Sequence, residues 1–178
     1  QRRKLIIKPF KLILKKKGLL LIFIATTNFA VGQKAKASPK ENVTGRINTS
    51  TISIDYGSPS VKGRKIWGAL VPFDKIWRAG ANEATTFQTD KDLIVEEKKL
   101  PAGKYSLFII PNEKKCIIIF NKKAKQWGAY NYDQDLDQLR VEVSPKEVSK
   151  STEKLLFLVK ENTVALLWDN WEIPLEIN

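Results

Sequence analysis

The sequence predicts an all-β fold: a single antiparallel β-sandwich domain carrying one long irregular loop and preceded by a signal peptide. Three observations lead there. About eight or nine short segments either alternate apolar with polar residues or run apolar throughout. Turn residues separate them at regular intervals, and no helical period lasts beyond a turn or two. Strands at this spacing favour an antiparallel sandwich over an α/β arrangement. No internal repeat is visible.

Residues 1–32 read as a leader outside the fold. They hold eight Lys or Arg and no acid, with Lys15, Lys16 and Lys17 immediately before the apolar, uncharged stretch 18–30. A basic region, a short apolar run and small residues such as Ala30 and Gly32 describe a secretory signal peptide. The apolar run falls short of the roughly 20 residues a membrane span needs. Export to the periplasm or medium is therefore expected, with no membrane span after cleavage. Residues 33–41 are small and polar and suit a flexible linker. The β-sandwich domain is expected over 42–178.

Within it, Thr51 to Tyr56 alternates, with Ile52, Ile54 and Tyr56 on one face and Thr51, Ser53 and Asp55 on the other. Asn48-Thr49-Ser50 supplies the turn before it. From Tyr56 to Phe87 no strand period survives, and this run is the long loop. Ala84 to Thr89 is Thr-rich and β-prone. Leu93 to Val95 and Lys98 to Leu100 flank a two-residue turn at Glu96-Glu97, and Pro101-Ala102-Gly103 turns into Lys104 to Ile110. That strand sets Tyr105, Leu107 and Ile109 on one face and Phe108 and Ile110 on the other. Cys116 to Asn121 is apolar on both faces, as a strand inside a packed sheet is. A second irregular zone, 121–138, precedes Leu139 to Val143. Lys146 to Lys154 is the one stretch that reads as a short helix. Glu153 to Lys160 and Thr163 to Trp168 form a hairpin, Asp169-Asn170 turns, and Trp171 to Ile177 is the last strand.

Composition removes several functions. The formal charge of +12 invites nucleic acid, but taking the eight leader cations from 31 leaves 23 against 19 acids, a net of +4. That is an ordinary surface charge for a soluble domain, so no nucleic-acid partner is expected. Histidine is absent, which removes His-based triads and imidazole metal sites. No metal and no cofactor is expected. The lone Cys116 forms no internal disulfide and reads as a small core residue.

The loop carries a distinctive series of motifs. Asp55-Tyr56 leads through Pro59-Ser60-Val61-Lys62-Gly63-Arg64 and Trp67-Gly68 to Leu70-Val71-Pro72-Phe73. Trp77-Arg78, Gly80-Ala81-Asn82-Glu83-Ala84-Thr85, Leu100-Pro101-Ala102-Gly103-Lys104-Tyr105, and Trp127-Gly128 with Tyr130 and Tyr132 follow. Over about residues 38–178 the chain resembles the bacterial family catalogued as domain of unknown function 2911. The resemblance implies an exported protein and the extent of the domain. It carries over no activity and no catalytic residue.

The candidate site residues therefore rest on their own chemistry. Arg64, Lys65 and Arg78 suit a carboxylate, phosphate or sulfate, since the guanidinium fork matches such oxyanions. Trp67, Trp77, Trp127, Tyr130 and Tyr132 offer flat faces for a sugar or aromatic ring, and Asn82 and Glu83 offer orienting polar groups. Glu83 with Asp55 or Asp74 forms a candidate acid–base pair. The bland alternatives are that Trp67 and Trp77 plug the core, that Arg78 pairs with Glu83, and that Asp55 faces solvent. Asp133, Asp135 and Asp137 are spaced like part of a calcium loop, but its Gly and Glu are missing. The reading favours a binding module for a small anionic or sugar-like ligand over an enzyme. A carboxylate-dependent hydrolase and a structural or partner-binding envelope protein are the rivals, and oligomeric state is left open.

Overall fold

The computed structural model describes residues 37–178. The expected leader, 1–32, and the first part of the expected linker lie outside the described residues. The regular structure of the described residues is almost entirely strand: β1 Lys40–Ile47, β2 Ser50–Gly57, β3 Thr85–Thr89, β4 Leu93–Val95 and β5 Lys98–Leu100. There follow β6 Gly103–Ile110, β7 Cys116–Asn121, β8 Asp137–Val143, β9 Lys146–Lys160 and β10 Thr163–Glu176. A 3-10 turn, Gln134–Leu136, precedes β8.

Six strands form an antiparallel sheet in the order β1-β2-β3-β6-β7-β8. The β9–β10 hairpin and the β4–β5 hairpin form two smaller ladders. A bridge between Val95 and Ile177, with reciprocal hydrogen bonds between Ile94 and Asn178, joins them edge to edge. The second layer thus runs β9-β10-β4-β5. Alternation dictates which side chains are enclosed: Ile52, Ile54, Tyr105, Leu107, Ile109, Ile118 and Phe120 meet Leu155, Phe157, Trp168, Ile173 and Leu175 in one core.

The opposite face of the large sheet is divided. Phe108 and Ile119 are fully buried there, beneath loop residues Ile76, Ala84, Ala129 and Tyr132. Beside them Asn42, Asp55, Thr86 and Ser106 stand in register across β1, β2, β3 and β6 and leave a polar strip.

Three expectations are corrected. Lys146 to Lys154 is not helical; it is the first part of β9, because Lys146, Glu147 and Thr152 pair with Glu172, Trp171 and Asp169 of β10. Cross-strand pairing outweighs the weak helical pattern of this charged segment. Asp169-Asn170 is not a turn between strands. Register shifts flank Asp169, whose φ is +53°, and β10 continues through it as a bulged strand. The linker expected over 33–41 gives way to β1 at Lys40, since Lys40 and Glu41 already pair with Gly57 and Tyr56. By contrast, Glu96-Glu97 is the two-residue turn expected of it, with φ of +44° and +64° despite the absence of glycine.

Candidate functional site

The long loop, between β2 and β3, laces the two layers together. Ser58 Oγ donates to Leu155 O, Val61 N to Glu153 O and Leu155 N to Pro59 O, all on β9. Trp77 exchanges both backbone hydrogen bonds with Ile109 of β6 at 2.8 Å. The loop is thus tied to the second layer at its start and to the large sheet near its end.

Between those ties it drives Trp67 and Trp77 inward, where they are 6% and 8% exposed. Trp67 stacks on Trp171 with ring centres 4.5 Å apart and meets Trp77 and Trp168 edge-on at 5.8 and 6.0 Å. Trp77 stacks on Trp168 at 5.9 Å. Their faces are occupied by each other, so neither presents a free surface for a ligand ring. Arg64 also leaves the candidate set. Its Nε donates to Val61 O at 3.0 Å and its Nη2 to Ser60 O, closing its own turn. Among the described residues, the buried Nε of Arg78 has no partner, and Arg78 forms no ion pair with Glu83.

Asn82, Glu83, Asp55 and Trp127 do converge. They line a cavity of about 480 Å³ on the outer face of the large sheet, with Ser38, Lys40, Gly57, Thr86, Lys104 and Lys125. The site lies where the polar strip meets the covered apolar patch. Backbone pairing builds its wall: Glu83 bridges Trp127, Ala84 N donates to Gln126 O at 3.0 Å, and Gly128 N donates to Asn82 O at 3.1 Å. Opposed residues of an antiparallel pair point the same way, so the carboxylate and the indole share one side. Trp127 is 57% exposed. Asn82, at φ +65°, donates to Ser38 O at 3.1 Å and fastens the entering chain to the rim. Tyr130, 85% exposed, lies over Gly128 outside the cavity.

The loop that presents Lys125 and Trp127 is held from beneath. Gln126 is buried and donates to Lys123 O at 2.8 Å and to Asn121 Oδ1 at 3.3 Å. Ser106 Oγ donates to the same Lys123 carbonyl at 2.7 Å. Asn121 Nδ2 reaches Asp133 O and Asp137 Oδ1, each at 2.8 Å. Asp137 also accepts from Tyr132 Oη at 2.6 Å, and Asp133 caps the 3-10 turn by accepting from Asp135 N at 3.0 Å. Two of the three evenly spaced aspartates therefore serve the loop's own architecture, and Tyr132 is anchored to one of them.

Asp55 is restrained within the polar strip. It accepts from Asn42 Nδ2 at 3.0 Å and Thr86 Oγ1 at 3.4 Å, with Lys104 Nζ at 3.5 Å. Burial pushes its acidity the other way, but the Asn42 hydrogen bond and the Lys104 and Lys40 charges outweigh it and hold the carboxyl below its ordinary 3.8. Asp55 is thus ionised at neutral pH and suits accepting hydrogen bonds more than delivering a proton. Because the folded value is depressed, the contribution to stability is present above the unfolded value and is lost as pH falls through the folded one. An Asp55→Asn variant is therefore expected to melt below wild type at pH 7, with the gap closing below pH 3.8. A gap that is constant from pH 7 to 3 contradicts the assignment.

Two other depressions are less suited to a ligand. The larger, about 720 Å³, is lined by Glu96, Glu97, Glu142 and Glu176, with Lys98 and Arg140, and its lining includes no aromatic side chain among the described residues. Several of these groups already serve the fold: Glu96 accepts from Glu176 N, Lys98 donates to Arg140 O, and Glu142 pairs with Lys115. The other is lined by Trp67, Phe73 and Trp171, whose rings are stacked on one another.

Of the residues that the sequence singles out, Asn82, Glu83, Asp55 and Trp127 line this cavity; Lys40, Thr86, Lys104 and Lys125 line it without having been singled out. The strand alternation carried part of that signal, since it sets Asp55, Thr86 and Lys104 on the outer face. The family model described as Protein of unknown function (DUF2911) matches residues 38–177, and the chain belongs to that family. No curated protein and no solved structure matches it.

Proposed function

We propose that this member of the DUF2911 family is an exported binding protein for a small sugar-like molecule, held in the cavity beside Trp127. The observation that carries this is a broadly exposed indole flanked by Asn82, Glu83 and Asp55 around one hollow of about 480 Å³. Small-molecule sites fall at about 300–1,000 Å³ and combine an apolar wall with a few convergent polar groups. A sugar ring offers an apolar face to an indole and hydroxyls at its edge to amide and carboxylate acceptors. Export is supported by the basic and apolar order of residues 1–32.

Asp55 and Glu83 lining the same hollow also favours a second reading, a carboxylate-dependent hydrolase. The ionised, three-fold hydrogen-bonded state of Asp55 fits a holding role better than proton transfer.

Thermal shift against a panel of mono- and oligosaccharides tests the binding reading. A ligand at 100 times its Kd is expected to stabilise the domain by about 2.7 kcal/mol. Trp127→Ala is expected to leave the unliganded melting temperature close to wild type. It should weaken binding by about 2 kcal/mol, roughly thirtyfold. Tyr130→Ala, outside the cavity, serves as the control and should bind as wild type. Equal binding by Trp127→Ala counts against the site, and product release from any saccharide favours the hydrolase.

A further inference from the structure

We propose that the cavity selects an acidic sugar, a hexuronic-acid unit or short oligomer, whose carboxylate is read by Lys40 and Lys125. The inference deepens the sugar reading above and depends on it. Five charged side chains line the cavity: Lys40, Lys104, Lys125, Asp55 and Glu83. Lys104 is already engaged by Asp55 at 3.5 Å. Among the described residues, no carboxylate lies within ion-pairing distance of Lys40 or Lys125. The cavity thus offers two cations outside any contact ion pair, Lys40 acting on Asp55 only at longer range, against Glu83, which has no ion pair among the described residues either.

Their placement matches one ligand with a ring and a charge. Lys125 and Trp127 are two residues apart and both line the cavity, while Gln126 between them is buried and does not line it. The ammonium and the indole therefore flank each other on one wall. Lys40, at the first residue of β1, lines the same hollow near Ser38, whose carbonyl accepts from Asn82. Among the described residues no arginine lines the hollow, so an anionic group there meets ammonium point charges and not a planar fork. Ammonium point charges suit a single anionic substituent on a sugar ring, and the carboxylate of a hexuronic acid is the plainest such group.

Calorimetric titration of the domain with galacturonic acid trimer and with galactose trimer, at low and high salt, tests this. The acidic trimer is expected to bind about tenfold more tightly at low ionic strength, with the difference collapsing in high salt. A Lys40→Ala/Lys125→Ala double variant, altered only at exposed positions, is expected to melt as wild type. It should bind both trimers with the affinity of the neutral one. Equal binding of both trimers by wild type, or an unchanged preference in the double variant, overturns the inference and leaves the sugar reading standing. Binding of neither trimer overturns both. Citrate binding as tightly as the acidic trimer, and equally to Trp127→Ala, overturns the inference in favour of simple anion capture.

Discussion

Trp67→Ala is expected to destabilise the domain by about 3–5 kcal/mol, the range for removing a buried aromatic side chain. Trp67 is the hub of the aromatic cluster, touching Trp77, Trp168 and Trp171. It belongs to the long loop, whereas Trp168 and Trp171 belong to β10 and Trp77 is bonded to β6. Removing its ring therefore opens a void at the point where the loop joins both layers. For a domain of this size the melting temperature should fall by about 10–17 °C. A second variant separates ring volume from polarity. The indole Nε1 of Trp67 is buried with no hydrogen-bond partner among the described residues, so Trp67→Phe also removes an unsatisfied donor. It should cost clearly less than Trp67→Ala. Equal losses in the two variants would contradict the packing account, since removing an unpartnered N–H cannot by itself destabilise. The readout is denaturant unfolding with an unchanged slope.

Gly57→Ala is the second large effect, and its cause is contact rather than dihedral strain. Gly57 closes β2 and faces the loop where Ala81 N donates to its carbonyl at 3.2 Å. A β-carbon there would stand 2.1 Å from Ala81 O, which is backbone and has no rotamer to escape into. Strand and loop must separate. A loss of about 3 kcal/mol or more follows, at the upper end of overpacking effects. Gly63→Ala makes the contrasting control. Gly63 lies at φ +66°, and a β-carbon there would meet nothing within 4 Å, so only the left-handed backbone cost of about 1–2 kcal/mol applies. Because Gly57 and Ala81 also line the cavity, Gly57→Ala should weaken any ligand as well. Similar stability losses in the two variants would contradict the close approach.

Much of this architecture was legible from alternation. The opposed faces of β6, with Tyr105, Leu107 and Ile109 on one side and Phe108 on the other, follow from period two and lie in different clusters. The Glu96-Glu97 turn was legible from two short strands flanking two residues. β1 was harder to read, because KENVTGRI carries only Val43 and Ile47 as large apolar residues. A strand at the edge of a sheet needs little apolar surface, so although β1 pairs with β2 directly across the Asn48-Thr49 turn, it carries little periodic signal. The bulge at Asp169 imitates a turn for a related reason: Asp-Asn tolerates left-handed backbone whether or not the chain reverses.

The lining of the candidate cavity was half legible. Asn82 and Glu83 were flagged by chemistry, and the structure sets them in one hollow with Asp55 and Trp127. Arg64, Arg78, Trp67 and Trp77 were flagged by the same chemistry and do not line it. Residue type does not reveal whether an arginine closes its own turn or a tryptophan faces another tryptophan. Lys40, Lys104 and Lys125 were hidden for the converse reason, since lysines are common on every surface. Only the fold gathers them around one cavity.

The most direct test follows the indole N–H resonances of the domain by NMR during titration with galacturonic acid trimer. The chain has five tryptophans, of which Trp67, Trp77, Trp168 and Trp171 are buried and Trp127 is exposed. The expected result is a progressive, saturable shift of the Trp127 signal, with the other four nearly still. Movement of the Trp67 and Trp171 signals instead, or none at any concentration of sugar, would contradict a binding site beside Trp127.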